Sequence, residues 1–286
     1  MQQDYTPHFM GDLKSVLLCT DGSDYSAGAI KAAINLAREC RTTKLTVLRV
    51  LEFNPEFETE GQKHADRIEN EARAHLEAVR EAAAEENVEC EGIVRRNDRP
   101  YQAIVDEAVR RQADVIVMGR RGMTGLRKML MGSVTARVVG HAPCKVLVVP
   151  KDAVMRGERI LLATDGSPYS EAAEHEIITM GKRCPHIKGI AALSVASSGD
   201  TQEQARATVE RVVKRAEEEG IAIEPLTAVG RPQDAIVDAV RQKNIDMVVM
   251  GTHGRTGMEK LLMGSISERV VGLSPAAILV IKSKSA

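Results

Sequence analysis

Residues 251–265 read GTHGRTGMEKLLMGS, and residues 119–133 read GRRGMTGLRKMLMGS. Nine of the fifteen positions are identical, among them all four glycines and the closing serine, so one device is used twice. A continuous apolar run, DMVVM or DVIVM, leads into each copy, and a helical pattern, ISERVVGL or SVTARVVGHA, leads out. Strand, glycine loop, helix is the unit from which parallel α/β sheets are built.

The repetition extends beyond the loop. LLCTDGS at 17–23 returns as LLATDGS at 161–167, and RPYQAIVDEAV at 99–109 returns as RPQDAIVDAV at 231–240. The first offset is 144 and the second 132, so the first half carries extra length around residues 51–87. A period this long marks a duplicated domain rather than a solenoid. The polar stretch KDAVMRGER (151–159) is the seam, which predicts domains at 1–150 and 151–286. So short a linker keeps the halves close and predicts an intramolecular pseudo-dimer, with a homodimer of whole chains as a further possibility.

Each half holds five β-rich runs. They are 15–20, 44–50, 90–94, 114–119 and 145–150 in the first, and 159–164, 188–195, 222–229, 246–251 and 276–282 in the second. Several are continuously apolar, as strands covered on both faces are. Between them, Ala65, Ile68, Ala72, Leu76, Val79 and Ala83 form one helical stripe, as do Val209, Val212, Val213 and Ala216. Ser167-Pro168 reads as an N-cap followed by proline in the first helical position. The expected fold is therefore α/β: two consecutive Rossmann-like domains, each a five-stranded, parallel, doubly wound sheet of order 3-2-1-4-5.

Composition narrows the function. A net charge of −1, with no Trp, four Tyr and three Phe, offers neither a basic surface nor a stacking platform for nucleic acid. No stretch approaches the roughly 18 apolar residues of a membrane helix, and the N-terminus has no signal-peptide core. Cys19, Cys40, Cys90, Cys144 and Cys184 form no C-x-x-C pair and read as structural thiols, which suits a reducing cytoplasm. Gly181-Lys182 lacks the remainder of a Walker motif, and no G-x-G-x-x-G or G-x-S-x-G is present. His64 and His75 share one predicted helix without H-E-x-x-H spacing and are expected at the surface.

In a doubly wound sheet ligands bind beyond the carboxyl ends of strands, where the order reverses. Gly119 and Gly251 end the fourth strands; Asp21 and Asp165 follow the first. Glycines at 119 and 122 allow close backbone approach. Gly132-Ser133 and Gly264-Ser265 each open a helix, whose free N–H groups suit a phosphate. The hydroxyls of Ser133, Thr135, Ser265 and Ser267 could donate to it. Each feature is also ordinary punctuation of a strand–loop–helix unit, and on the residues alone both readings stand.

Gly-x2-Gly-x9-Gly-Ser after an apolar strand, together with T-D-G-S after the first, resembles the ATP-binding branch of the universal stress protein family. The resemblance covers essentially the whole chain as two domains. It implies that Thr20, Asp21, Thr164 and Asp165 meet the nucleotide near ribose and phosphate, and that the backbones of Val50 and Val195 meet adenine. It implies phosphate contacts from Gly119, Arg120, Gly122, Gly132, Ser133, Val134 and Thr135, and from Gly251, Thr252, Gly254, Gly264, Ser265, Ile266 and Ser267. The implied ligand is ATP, with or without Mg2+. The halves differ: Arg120, Arg121 and Met123 stand where the second has Thr252, His253 and Arg255, and Asp98 stands in place of Gly230.

Three functions are consistent with this reading: a nucleotide sensor or regulator acting through protein partners, a slow or self-phosphorylating ATPase with Asp21 or Asp165 as its only candidate base, and a scaffold without nucleotide. The fifth strands are candidate edges for pairing between domains or between chains.

Overall fold

The computed structural model describes residues 7–40, 44–52, 62–122, 131–254 and 263–282. The strands of the first half are β1 (Ser15–Cys19), β2 (Lys44–Glu52), β3 (Cys90–Asn97), β4 (Val115–Gly119) and β5 (Lys145–Val149). Those of the second are β6 (Arg159–Ala163), β7 (Gly189–Ala196), β8 (Glu224–Val229), β9 (Met247–Gly251) and β10 (Ala277–Ile281). The helices between them are α1 (Ala27–Glu39), α2 (Gln62–Glu85), α3 (Pro100–Arg110) and α4 (Ser133–His141), then α5 (Pro168–Arg183), α6 (Gln202–Glu218), α7 (Pro232–Gln242) and α8 (Ser265–Leu273).

The strand order is β3-β2-β1-β4-β5-β10-β9-β6-β7-β8. Each half has the expected 3-2-1-4-5 order, with every pair inside a half parallel. The two sheets join through the fifth strands, which pair antiparallel with Leu147 opposite Leu279. Both fifth strands thus lose their open edge inside one chain, and neither is left to pair with a second molecule. Because the junction is antiparallel, the strands of the two halves point in opposite directions. Their carboxyl ends, and any site built there, lie at opposite borders of the common sheet.

Apolar runs form the strands because both faces are covered. Val16 and Leu18 of β1 enter a core beneath α1, α2, α5 and α6, with Ala29, Leu76, Ile177 and Val209. Leu17 and Cys19 enter the core of the other face, beneath α3, α4, α7 and α8, with Ile104, Val138, Ile236 and Val270. Both cores run through the seam without interruption. Of the stripes read from sequence, Ala72, Leu76, Val79 and Ala83 of α2 and Val209, Val212 and Ala216 of α6 are buried, and Ala65, Ile68 and Val213 are partly buried. The extra length of the first half goes partly into α2, which has 24 residues against 17 in α6.

Residues 8–14 lie across the seam. The Met10 N–H donates to Glu176 Oε1 of α5 (2.6 Å), and the same oxygen accepts from Lys145 Nζ of β5 (3.0 Å). The Lys145 ammonium also donates to the His8 carbonyl. Gly11 (φ +87°) passes so close to α5 that a Cβ there would lie 2.6 Å from Cys184 Sγ. Asp114 and Asp246 fasten the entries to the two halves. Asp114 accepts from the backbone N–H groups of His8, Lys14 and Ser15, and Asp246 from those of Gly157, Glu158 and Arg159.

Candidate functional site

The chain after β1 turns at once. Gly22 (φ +80°) donates its N–H to Thr20 Oγ1 (3.1 Å), and the Ser23 N–H donates to Asp21 Oδ1 (3.0 Å). The turn after β6 is built the same way: Gly166 (φ +73°) donates to Thr164 Oγ1 (3.2 Å) and Ser167 to Asp165 Oδ1 (3.0 Å). A short side-chain acceptor two residues back stabilises such a turn, and its left-handed step favours glycine.

The glycine loop comes in from the neighbouring strand, since β4 pairs with β1 and β9 with β6. A Cβ at Gly122 would stand 2.6 Å from Asp21 Oδ2, and one at Gly254 would stand 2.7 Å from Asp165 Oδ2. The loop backbone lies against the carboxylate, and a side chain at either glycine would displace it. Gly119 and Gly251 are equally confined, by the carbonyls of Tyr25 (2.8 Å) and Tyr169 (2.4 Å). Each loop then closes on its helix: the Gly132 N–H donates to the Arg120 carbonyl and the Gly264 N–H to the Thr252 carbonyl, both at 2.9 Å. Gly132 and Gly264 are the extended N-caps of α4 and α8. Each half therefore brings an aspartate, a bare glycine backbone and the unpaired N–H groups of a helix start to the switch point of its sheet.

The remaining expected residues divide. Ser133, Ser265 and Ile266 are exposed at the helix starts, with Val134 partly covered beside them. Thr135 and Ser267 are buried instead, and their hydroxyls donate to the carbonyls of Gly119 (3.0 Å) and Gly251 (3.1 Å). These bonds brace the loop against the first turn of its helix. Thr20, Thr164 and Thr252 are buried. Val50 and Val195 lie inside β2 and β7, which run on to Glu52 and Ala196, past the expected ends. Met123 and Arg255, with the third glycines Gly125 and Gly257, lie outside the described residues.

The Arg120 guanidinium turns away from its loop, half-buried, and Nη1 donates to the Ser274 carbonyl of the other half at 2.9 Å. Burial, and then the neighbouring Arg121, push its pKa below the usual guanidinium value. The buried Nε of Arg121 has no hydrogen-bond partner among the described residues. Ser167 is the N-cap of α5 by backbone geometry, yet its buried hydroxyl has no such partner either.

Reading by motif misses two residues beside the first candidate site. His75, expected at the surface, is half-buried with Nε2 3.0 Å from Thr20 Oγ1. It flanks the buried stripe of α2 one turn beyond Ala72, and that position carries it inward. Burial, reinforced by Arg49 and opposed by Asp21, lowers the pKa of this imidazole. Arg49 lies over the turn, with Nη1 2.7 Å from where a Gly22 Cβ would be. An arginine late in KLTVLRV, after Leu45, Val47 and Leu48, was the available signal. The second half differs here. Leu48 and Leu193 accept the Thr20 and Thr164 N–H groups in equivalent places, but the next residues are Arg49 and Ser194. Fully buried Glu174 accepts from Thr164 Oγ1 (2.6 Å) and Arg211 (2.8 Å), with Arg215 at 3.5 Å.

Among the described residues no group of three or more His, Cys, Asp or Glu side chains could hold a metal ion, and no helix is long and apolar enough to cross a membrane. All five cysteines are free thiols.

The sequence profile of the universal stress protein family matches this chain twice, over residues 13–150 and 157–282. A universal stress protein of Methanocaldococcus jannaschii is 35% identical over 147 residues, covering 48% of this chain and 82% of the relative. One from Bacillus subtilis is 34% identical over 151 residues, covering 47% of this chain and 97% of its own length. Among solved structures, a universal stress protein from Archaeoglobus fulgidus superposes with a TM-score of 0.77 at 21% identity, over 97% of this chain and 98% of that one. At that identity the likeness concerns the fold, here matched through both halves. The chain belongs to the universal stress protein family, two of whose domains it carries in tandem.

Proposed function

We propose that this protein binds adenine nucleotide, ATP in the first instance, at two sites and acts in stress response as a nucleotide sensor or regulator through protein partners. The observation that carries the reading is the contact of Gly122 with Asp21, repeated by Gly254 and Asp165, beside a glycine-capped helix start. This arrangement offers an anion backbone N–H groups and a positive dipole end while keeping a carboxylate within reach of sugar hydroxyls. The name borne by the relatives supports the stress-response part. In the first half Arg49, and Arg121 with its unpartnered Nε, add positive charge that fits a phosphate chain. Ser133 and Ser265 would donate to phosphate, and Val50 and Val195 would line the adenine end. Mg2+ would travel with the phosphates.

The slow ATPase is the second reading, and its base would have to be Asp21 or Asp165. Asp21 Oδ1 already accepts from the Ser23 N–H, Ser23 Oγ (2.7 Å) and Ser26 Oγ (2.9 Å). Three donors thus hold that oxygen in place, an arrangement that suits a fixed binding group at the first site, whereas Asp165 Oδ1 accepts from the Ser167 N–H.

The test is to denature freshly purified protein, identify released nucleotide by chromatography, and titrate the emptied chain with ATP by calorimetry. Two moles bound per mole of chain are expected. A flat titration would move the assignment to the scaffold reading, and turnover well above spontaneous hydrolysis would move it to the enzyme.

A further inference from the structure

The helices that open the two candidate sites, α4 and α8, are each held at the far end by a cation from the opposite half. Arg120 donates to the carbonyl of Ser274, the C-cap of α8 (2.9 Å). Lys282, just past β10, donates to the carbonyl of Gly140 in the last turn of α4 (3.1 Å). The two contacts differ in one respect: Lys282 lies outside the glycine loops, whereas Arg120 belongs to one. Its N–H donates to Val149 (3.1 Å), and its carbonyl accepts the N–H of Gly132, the N-cap of α4. Its counterpart in the second half is buried Thr252, which carries no charge to extend across the seam.

We propose that Arg120 couples the two nucleotide sites, because the residue whose backbone closes the phosphate loop of the first sets its guanidinium on the C-terminus of the helix whose N-terminus forms the second. The coupling rests on the nucleotide reading above. The guanidinium sits on the Ser274 carbonyl, where a cation stabilises the negative end of α8. Phosphate oxygens arriving at the loop compete for it, and a charge-assisted bond to an anion is stronger than one to a neutral carbonyl. Arg121 beside it and its own burial both disfavour a guanidinium without an anionic partner, which adds to the pull. Removing Arg120 from Ser274 uncaps α8, so filling the first site weakens the second, and by linkage the reverse holds. One cation at a helix C-terminus stabilises the helix by the equivalent of about two- to fivefold, which is the ceiling for its effect on the second site.

The test uses the full-length chain with ATP as probe. In a Gly254→Val chain, whose second site is closed, ATP fills only the first. Hydrogen–deuterium exchange of the peptide containing Leu273–Ala277 is then expected to rise on adding ATP. With Arg120→Gln added, that exchange should be high already and indifferent to ATP. In calorimetry the second site should bind ATP up to about fivefold more weakly when the first is filled than in a Gly122→Val chain whose first site is closed, and Arg120→Gln should remove that difference. Arg120→Lys keeps the charge and should retain part of the exchange response, which a purely steric role does not predict. ATP binding without a change in the peptide, independent or mutually tightening sites, or no response in a folded Arg120→Lys chain each overturns the coupling alone. No ATP binding by any chain overturns the nucleotide reading and the coupling together.

Discussion

Replacing Glu176 by alanine tests whether the seam is held by its buried ion pair. Lys145 Nζ and Glu176 Oε1 are 3.0 Å apart, with only 5% and 4% of their side chains exposed. Removing the carboxylate leaves the ammonium with the neutral His8 carbonyl and takes the acceptor from the Met10 N–H. Breaking a buried pair from one side costs about 3–5 kcal/mol, and an orphaned buried N–H about 1–3 kcal/mol. The two overlap because they share one oxygen, so the expected loss is about 3–5 kcal/mol in total. For a chain of this size each kcal/mol moves the melting temperature by about 2 °C, which gives a fall of about 6–10 °C. The assay is thermal and urea unfolding followed by far-UV circular dichroism, since the chain has no Trp to report by fluorescence. Replacing both partners, Lys145→Met with Glu176→Leu, should recover part of the loss, because a well-packed apolar pair often matches a buried ion pair while the Met10 N–H stays without its acceptor. A loss below about 1 kcal/mol for Glu176→Ala, or a double variant as unstable as the single one, would refute the reasoning.

Gly122→Val and Gly254→Val should each remove one ATP site and leave the other, since a Cβ at either position would lie 2.6 or 2.7 Å from an aspartate oxygen; calorimetric stoichiometry checks this. The His75 imidazole is held below its ordinary value by burial and Arg49, so the unfolded chain takes up that proton first as pH falls. Stability present above about pH 6.5 is therefore lost as pH falls through the folded value, and His75→Gln should flatten the melting temperature between about pH 7.5 and 5.5. Burial raises the Cys19 thiol and raises that of Cys184 to about 11. Alkylation of both near pH 8 should be slow in the native chain and fast after denaturation, read by mass spectrometry.

The elements and their order were legible because their signals are local. An apolar run of strand length, a stripe at helical spacing and a glycine after a strand each follow from backbone and solvent chemistry over a few residues. The loop was legible for the same reason, since a backbone lying on a carboxylate leaves a glycine in the sequence. Thr135 and Ser267 show the limit: spacing places a hydroxyl in the first turn of a helix but does not say which carbonyl takes its proton. His75 and Arg49 lie far from any motif and join the first site only when α2 and β2 pack beside β1. Arg120 reads as a phosphate contact by its place beside Gly119, yet its guanidinium reaches the far half.

Taken alone, the sequence determined that the chain is a duplicated α/β domain with an aspartate turn and a glycine loop at each switch point. The periodicity of burial and the backbone freedom of glycine are written residue by residue. Only the tertiary structure decided that β5 and β10 close the two sheets into one, that the two candidate sites lie at opposite borders, and that an arginine of one loop caps the helix of the other. Those outcomes depend on strand edges and charges meeting across more than a hundred residues, where no local preference reaches.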